Sequence, residues 1–232
     1  MIYKFNDSTF RPIFANLLEW ASTGLPKKDT TGRLLRLRSI YTFTTLFFTH
    51  LKSIVTSYTT YLLPSALSAL ESVDPANPAS RALWSNALHT LTAAAAHDQD
   101  DFFQAPAHFD VLAPALTSQL AHAATLPLFD DLVPALVELA AVADSADHHK
   151  SLNAAIMKSL RDTAPAVRLA AVKAEEALTE RLGEEWLALL PEMLPFISEL
   201  QEDEDEEVER ETHKWIVKIE GVLGESLDAM LQ

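Results

Sequence analysis

Two neighbouring segments near the end of the chain carry apolar residues at alternating steps of four and three, the spacing of one face of an α-helix. The residues of the two faces are Trp186, Leu190, Met193, Ile197 and Leu200, and then Val208, Thr212, Trp215, Ile219 and Val222. The acidic stretch 202–207 lies between them. Because a helix with one apolar face is stabilised mainly by packing that face, the spacing predicts two adjacent helices joined by a solvated turn.

The same layout occurs once more, earlier in the chain. Aligning Val167 with Val208 gives an offset of 41 residues, and aligning Ile156 with Phe196 gives an offset of 40. Pro165 stands where the second helix of this earlier pair would begin, a position at which a missing N–H costs little. Helix pairs that recur about every 40–47 residues are typical of HEAT and armadillo solenoids. The chain therefore contains an internal repeat of helix pairs.

Helical patterns extend over the rest of the chain, and no segment alternates as a strand would. Segments 109–116 and 129–136 match each other at an offset of 20 residues, half of the repeat. We expect helices at 8–22, 31–51, 53–72, 79–97, 107–123, 127–143, 147–161, 165–182, 184–201, 206–222 and 225–231, with Pro191 and Pro195 kinking the helix at 184–201. The predicted fold class is all-α, a HEAT-like α-solenoid of stacked antiparallel helix pairs in a single domain over residues 1–232.

Composition excludes several kinds of site. The absence of cysteine excludes disulfide frameworks, Cys-based zinc sites and thiol nucleophiles. The five glycines form no phosphate-binding loop and no nucleotide-binding fingerprint. No signal-peptide pattern opens the sequence, so we expect an intracellular protein. Segment 39–70 has Lys52 as its only formal charge, but 15 of its 32 residues are Ser, Thr or Tyr, which favours buried helices over a membrane span.

The net charge of −15 is unevenly distributed: residues 1–60 carry +5, residues 61–150 carry −9 and residues 151–232 carry −11. Because an acidic surface repels a phosphate backbone, direct nucleic-acid binding is expected only within residues 1–60. A basic cluster there is a candidate contact for RNA or for an acidic partner, and an ordinary solvated helix start is the alternative. Its members are Lys27, Lys28, Arg33, Arg36 and Arg38, of which Arg38 is expected to point away from the face that Arg33 and Arg36 share.

The acidic stretch is the second candidate site, a contact for a basic segment of a partner. Its members are Glu202, Asp203, Glu204, Asp205, Glu206 and Glu207. The stretch lacks the glycine and the ligand spacing of an EF-hand calcium loop. An exposed turn within a repeat is the simpler alternative.

No catalytic, cofactor-binding or metal site is predicted. Asp100 and Asp101 begin a stretch that resembles the Asp-Asp-x-x-Asp magnesium–diphosphate motif of all-α isoprenoid synthases, in which paired carboxylates on one helix face hold cations. Gln104 replaces the last aspartate, so a capped helix start is favoured, and an all-α enzyme stays as an alternative that would need magnesium at this pair. His148 and His149 point to different sides of a helix and lack a His-Glu-x-x-His spacing, which indicates a polar turn or a helix start.

Both ends of the chain resemble one protein family. The segments that carry the resemblance are 8–14, 18–21, 151–168, 189–200, 206–209 and 222–225, whereas the alanine-rich middle, 82–146, would suit any α-solenoid. They are similar to the C-terminal region of the family of U-three small nucleolar RNA-associated protein ten and HEAT repeat-containing protein one, which are large nucleolar HEAT-repeat proteins. The resemblance implies that the chain is a C-terminal fragment of a much longer protein.

The resemblance further implies a non-enzymatic scaffold of the small-subunit processome, the early pre-ribosomal particle. Such a scaffold acts in ribosome biogenesis, through pre-rRNA processing and small-subunit rRNA maturation, and is linked to rDNA transcription. It also implies a location in the nucleus and nucleolus and contacts with other processome subunits. Pre-rRNA and small nucleolar RNA are then reached through the assembled particle, and no cofactor, membrane or small-molecule substrate is expected.

The charge of the chain adds a condition to this expectation. Because the chain is acidic, we expect protein contacts to hold it, with RNA contact confined to residues 27–38. A HEAT-repeat adaptor of another pathway, such as a transport receptor or a phosphatase scaffold, is the alternative. It fits the periodicity but leaves the resemblance of the two ends unexplained.

Overall fold

The computed structural model describes residues 7–23, 29–228 and 230–231, and in these residues the chain forms eleven α-helices and no β-strand. The helices are α1 (Asp7–Thr23), α2 (Thr30–His50), α3 (Val55–Glu71), α4 (Pro78–Ala96), α5 (Pro106–Thr117), α6 (Leu128–Val142), α7 (Ala146–Ser159), α8 (Pro165–Leu182), α9 (Glu184–Leu187), α10 (Leu190–Leu200) and α11 (Glu206–Leu223). Short 3₁₀ segments occupy Lys52–Ile54 and Ser118–His122. The predicted all-α fold class is confirmed.

Polar side chains and glycine define several helix ends. Asn77 starts α4 by accepting hydrogen bonds from the backbone N–H groups of Ala79 and Ser80 with its side-chain oxygen. Asp205 starts α11 in the same way. Gly224 ends α11 with φ at 76°, a left-handed conformation that a residue without a Cβ adopts at little cost.

The helices gather into two compact units, Met1–Phe102 and Phe103–Gln232. Each unit is described by itself below, and the single domain over residues 1–232 stays a prediction. In the first unit, aromatic rings from α1, α2 and α3 form the core, with ring centres 5.0–5.6 Å apart for four of the pairs. These rings belong to Phe10, Phe14, Phe47 and Tyr58.

Contacts along the helices of the first unit give their directions. Trp20 and Phe10 of α1 lie against Arg36 and Phe47 of α2, so these two helices are antiparallel. By contrast, α2 and α4 run in the same direction, because Thr42 bonds Asn86 and Thr45 bonds Thr90. Successive helix pairs stacked in register have this arrangement, in which partners within a pair are antiparallel and equivalent helices of neighbouring pairs are parallel.

The second unit repeats the arrangement with three pairs, α5–α6, α7–α8 and α9/α10–α11, and α8 packs between α6 and α11. Helices α8 and α11 run in the same direction, because the ion pairs Lys173–Glu211 and Glu176–Lys218 follow the same order along both helices. The apolar face predicted from Trp186 to Leu200 is buried throughout. The internal repeat predicted from the sequence therefore corresponds to stacked helix pairs.

Three helix boundaries differ from the prediction. The kinked helix expected at 184–201 is interrupted between α9 and α10, because Pro191 lacks an N–H and its ring crowds the carbonyl four residues before it. The helix expected at 107–123 ends at Thr117 and continues as a 3₁₀ segment. In the described residues after Gly224 there is no helix; instead the Glu220 carboxylate accepts a hydrogen bond from the backbone N–H of Leu227 at 2.9 Å, and Leu227 is buried.

Segment 39–70, which the sequence assigned to buried helices, contains the end of α2 and most of α3. Among the described helices, none combines the length and the apolar character that crossing a bilayer requires.

Candidate functional site

The structure describes three of the five residues of the basic cluster, the arginines at the start of α2. Lys27 and Lys28 lie outside the described residues. The guanidinium carbon of Arg36 lies 4.2 Å from the centre of the Trp20 ring, and its Nη1 donates a hydrogen bond to the Trp20 carbonyl at 3.2 Å. Arg38 is exposed, and Arg33 lines a groove between α1, α2 and α3. The three arginines thus have three different surroundings.

The acidic turn between α10 and α11 contains two carboxylates that the fold itself uses. Arg168 of α8 binds Asp203 through two parallel hydrogen bonds, Nε to Oδ2 at 2.8 Å and Nη2 to Oδ1 at 2.7 Å. Both side chains are less than a tenth exposed. Asp205 caps α11. Both oxygens of Asp203 and the Oδ1 atom of Asp205 are therefore already engaged within the fold.

The pKa of Asp203 reflects this pairing. Burial by itself would raise the pKa of the carboxyl group, but the hydrogen bonds from Arg168 and from the backbone N–H of Asp205, together with the Arg168 charge, hold the pKa below its ordinary value. The side chain therefore stays ionised, and the turn is anchored to the start of α8.

The remaining four carboxylates of the turn are exposed. They are Glu202, Glu204, Glu206 and Glu207. Glu207 lies 3.4 Å from Arg210 on the next turn of α11, and Glu204 lies 3.9 Å from the buried Arg168. The candidate surface for a basic partner therefore consists of these four glutamates. The Arg168–Asp203 pair holds the backbone of their turn in place.

The two histidines lie in the first turn of α7, as the helix-start interpretation predicts. His149 is buried, with Nε2 2.9 Å from the Ala140 carbonyl and its ring 5.7 Å from that of Trp186. His148 stacks on Phe109 with ring centres 4.0 Å apart. Within the described part of the chain, no three His, Asp or Glu side chains are grouped so that they could hold a metal ion.

Asp100 and Asp101 lie in an irregular segment before α5, not at a helix start. Asp101 has a positive φ of 53°, and Phe102 and Phe103 after it are buried. The helix start predicted here is wrong: the left-handed conformation of Asp101 does not fit a right-handed helix, and α5 begins only at Pro106. The paired carboxylates therefore do not share a helix face, and the geometry that the enzyme alternative needs is not formed by these residues.

The second unit contains a buried acid that was not predicted from the sequence. Glu175 of α8 is fully buried, and the indole N–H of Trp186 donates to its Oε2 at 2.9 Å. Its Oε1 has no hydrogen-bond partner among the described residues. Burial raises the pKa of Glu175 to about 8, more than the Trp186 hydrogen bond lowers it. Its spacing from Ala171 and Leu178 was the available signal, since steps of four and three place it on the buried face of α8.

One family model matches a part of the chain that corresponds closely to the first unit, Met1–Phe102. Residues 1–103 match the model of the BP28CT (NUC211) domain. Over its whole length the chain is 58% identical to U3 small nucleolar RNA-associated protein 10 of Chaetomium globosum and 56% identical to that of Neurospora crassa. The corresponding protein of Aspergillus fumigatus is 53% identical. The chain spans 13% to 14% of the length of these relatives. Along its whole length the chain therefore matches the C-terminal region of U3 small nucleolar RNA-associated protein 10.

Proposed function

We propose that this chain is a non-catalytic scaffold region of a small-subunit processome component that acts in ribosome biogenesis. The steps it serves in this proposal are pre-rRNA processing and small-subunit rRNA maturation, linked to rDNA transcription in the nucleolus. The observation that supports the proposal is similarity over 100% of the chain to proteins whose printed name states an association with the U3 small nucleolar RNA. Neither that name nor the description of the matched domain denotes an enzyme.

The stacked helix pairs provide a mechanism that needs no chemistry. Each pair buries its apolar faces against its neighbours and leaves its turns exposed for contact with other subunits. In the second unit, the Arg168–Asp203 pair ties the turn before α11 to the start of α8, so the neighbouring glutamates are presented by an ordered backbone. The proposed contact of this edge is a basic segment of another processome subunit, bound by Glu202, Glu204 and Glu206.

Direct RNA contact has a minor role in the proposal. Residues 61–150 and 151–232 carry −9 and −11, so most of the chain repels a phosphate backbone. Lys27, Lys28 and the exposed Arg38 are the residues that such contact would use. Pre-rRNA and small nucleolar RNA are otherwise reached through the other subunits of the particle.

The alternative of an adaptor in another pathway rests on the helix-pair architecture alone. That architecture is shared by many unrelated scaffolds, and fold does not specify function. Similarity to one family over 100% of the chain favours the processome assignment instead.

The proposal is tested by co-purification of U3 small nucleolar RNA. The tagged chain is expressed in a filamentous fungus and recovered, and the enrichment of U3 RNA and of pre-rRNA over the tag alone is measured. We expect enrichment of both. A variant with Glu202→Lys, Glu204→Lys and Glu206→Lys should lose it, whereas the matched variant with Asp110→Lys, Asp144→Lys and Glu225→Lys, exposed carboxylates elsewhere in the second unit, should retain it. Equal loss in both variants would contradict a specific role of the acidic turn.

A further inference from the structure

Large apolar side chains are exposed along two neighbouring helices of the first unit, α1 and α2. Five of the ten such side chains in the described part of the chain lie on these two helices: Ile13, Trp20, Leu35, Phe43 and Leu46. Leu35 and Leu46 are 52% and 58% exposed. Single apolar residues scattered over a surface need no explanation, whereas a group on neighbouring helices marks an interaction surface.

The exposed residues of α2 share one side of that helix. Four of them follow steps of four, four and three: Leu35, Ser39, Phe43 and Leu46. These steps place the four side chains in a row over about three helical turns. Residues 39–51 include no formally charged residue. A solvated helix face ordinarily carries charged residues, so this side of α2 differs from an ordinary solvated face.

Helix α1 borders the exposed side of α2 along most of its length. The ring of Phe43 stacks on that of Phe47 at 5.7 Å between ring centres, and Phe47 packs on the aromatic rings of α1. At the other end of the contact, Trp20 lies against Arg36. The exposed residues of the two helices together form the α1–α2 face, which consists of Ile13, Trp20, Leu35, Ser39, Phe43 and Leu46.

The stacking of the helix pairs indicates what kind of element covers such a face. In the second unit, α8 packs between α6 and α11, the corresponding helices of the pairs before and after it. In the first unit, α4 of the following pair packs on α2, for example through the hydrogen bond between Thr45 and Thr90. Because α1 and α2 form the first described pair, α2 has such a neighbour on one side only among the described residues. A pair placed before α1 would extend the stack with the geometry that the chain already uses.

The curated relatives contain the polypeptide that such a pair requires. This chain spans 13% to 14% of their length and matches their C-terminal region, so in these relatives most of the protein precedes the matched part. A preceding pair would join the chain at the start of α1, where Phe10 lies beside Phe47 in the later part of α2. The end repeat of a solenoid requires a polar outer face for solubility, and the α1–α2 face lacks that character.

We propose that the α1–α2 face is an internal contact of a longer solenoid, covered in the full-length protein by the helix pair that precedes α1. The occupant is a segment of the same polypeptide that contributes an apolar face of its own. The inference goes beyond the proposed function, because it concerns how this region is attached to the rest of the protein. It holds whichever pathway the chain serves.

The absence of cysteine from the chain permits a direct test of this coverage. Leu46→Cys places a single thiol on the α1–α2 face, and the same substitution is made in the full-length protein, purified free of other subunits. The rate at which a maleimide modifies position 46 is measured in both by mass spectrometry of the peptide that carries it. We expect the rate to be about tenfold lower or more in the full-length protein, because a thiol in a packed contact reacts only when the contact opens.

Val217→Cys is the matched control, because Val217 of α11 is 66% exposed and lies outside the α1–α2 face. Its rate should be the same in the two proteins. A second variant combines Leu35→Cys with Leu46→Glu, so that a charge enters the proposed contact while the thiol reports on it. Compared with Leu35→Cys alone, this variant should react faster in the full-length protein and at an unchanged rate in the chain. Both leucines are more than half exposed, so the chain itself tolerates these substitutions.

Three outcomes would overturn the proposal. The first is an equal rate at position 46 in the chain and in the purified full-length protein. The second is protection that arises only after other processome subunits or RNA are added, which would assign the face to a separate partner. The third is protection in the full-length protein that is lost on dilution together with dimers observed by analytical ultracentrifugation. That result would assign the face to a second copy, since a contact within one polypeptide does not depend on concentration.

Discussion

Glu175 is completely buried, and only one of its two carboxylate oxygens has a hydrogen-bond partner among the described residues. An ionised carboxylate in that place would lack the hydrogen bonds and counter-charge that burial demands. A protonated carboxyl group avoids this cost, which is the physical meaning of a pKa of about 8. The core of the second unit therefore holds a proton at neutral pH that the unfolded chain releases.

The pH dependence of stability should reveal this proton. In the unfolded chain the pKa returns to its ordinary value of 4.5, so between pH 4.5 and pH 8 the folded state binds more protons than the unfolded state. Stability from this group is present in full below pH 4.5 and is lost as the pH rises through about 8. The slope within that interval approaches about 1.4 kcal/mol per pH unit.

The measurement is urea unfolding of the chain and of a Glu175→Gln variant at pH 5, 7 and 9. Glutamine has the same shape and cannot ionise, so the difference between the two chains isolates this group from all others that titrate. We expect the variant to gain on the unmodified chain as the pH rises. Parallel pH profiles would show that Glu175 does not hold a proton in the folded state.

Single residues of the acidic turn differ in ways that the sequence does not predict. Asp203 and Glu204 are neighbouring acids in one stretch, yet Asp203 is buried on Arg168 and Glu204 is exposed. Nothing local distinguishes them, because the partner lies 35 residues earlier in the chain. The sequence could therefore identify an acidic turn but not the half of it that is available to a partner.

Ion pairs near the α7–α8 turn add to the apolar packing that joins neighbouring helix pairs. Arg168 and Arg161 both reach from the α7–α8 turn region to the last pair, but Arg168 is less than a tenth exposed whereas Arg161 is about half exposed. Breaking a buried pair leaves a charge without compensation, while an exposed pair is screened by water. The two contacts should therefore contribute very differently to stability.

We expect Arg168→Met to lower the free energy of unfolding by about 3 kcal/mol, because it leaves Asp203 buried without its partner. Arg161→Met, the matched control, should lower the free energy of unfolding much less, since it removes an exposed ion pair and a contact with the Phe196 ring. Urea unfolding at neutral pH measures both. Equal effects of the two substitutions would show that the buried pair does not anchor the turn.

The positions of the helices could be predicted from the sequence better than the breaks between them. The faces ending at Leu200 and beginning at Val208 were evident from steps of four and three, and the internal offset gave the pairing. The break before Leu190 could not be predicted, because a proline can either kink a helix or end it, and the surrounding packing decides which. The groove at Arg33 had no sequence signal, since helices from separate segments form it.

The whole molecule carries its charge unevenly, and this limits what it can bind directly. Residues 1–60 carry +5, whereas the remainder of the chain is strongly acidic. The acidic majority lowers the local concentration of any polyanion, and the arginines of the basic cluster lie in different surroundings. Contact with basic protein segments is therefore favoured over contact with RNA.

Direct RNA binding should accordingly be weak and should depend on the basic cluster. In filter binding at about 150 mM salt, a concentration that already screens much of the attraction to phosphates, we expect little retention of a pre-rRNA leader fragment. Any binding seen at lower salt should vanish in a variant with glutamine at all five positions of the cluster. The positions are Lys27, Lys28, Arg33, Arg36 and Arg38. Tight, salt-dependent binding that survives this variant would contradict the assignment.

In the proposed function, protein contacts dock this chain to the processome. The most direct measurement is purification of the tagged chain from nuclear extract, divided into two halves of which one is treated with ribonuclease, followed by identification of the bound proteins. We expect processome subunits to be recovered equally from both halves, and the variant with Glu202→Lys, Glu204→Lys and Glu206→Lys to recover them from neither. Loss of those subunits on ribonuclease treatment of the unmodified chain would instead assign the docking to RNA.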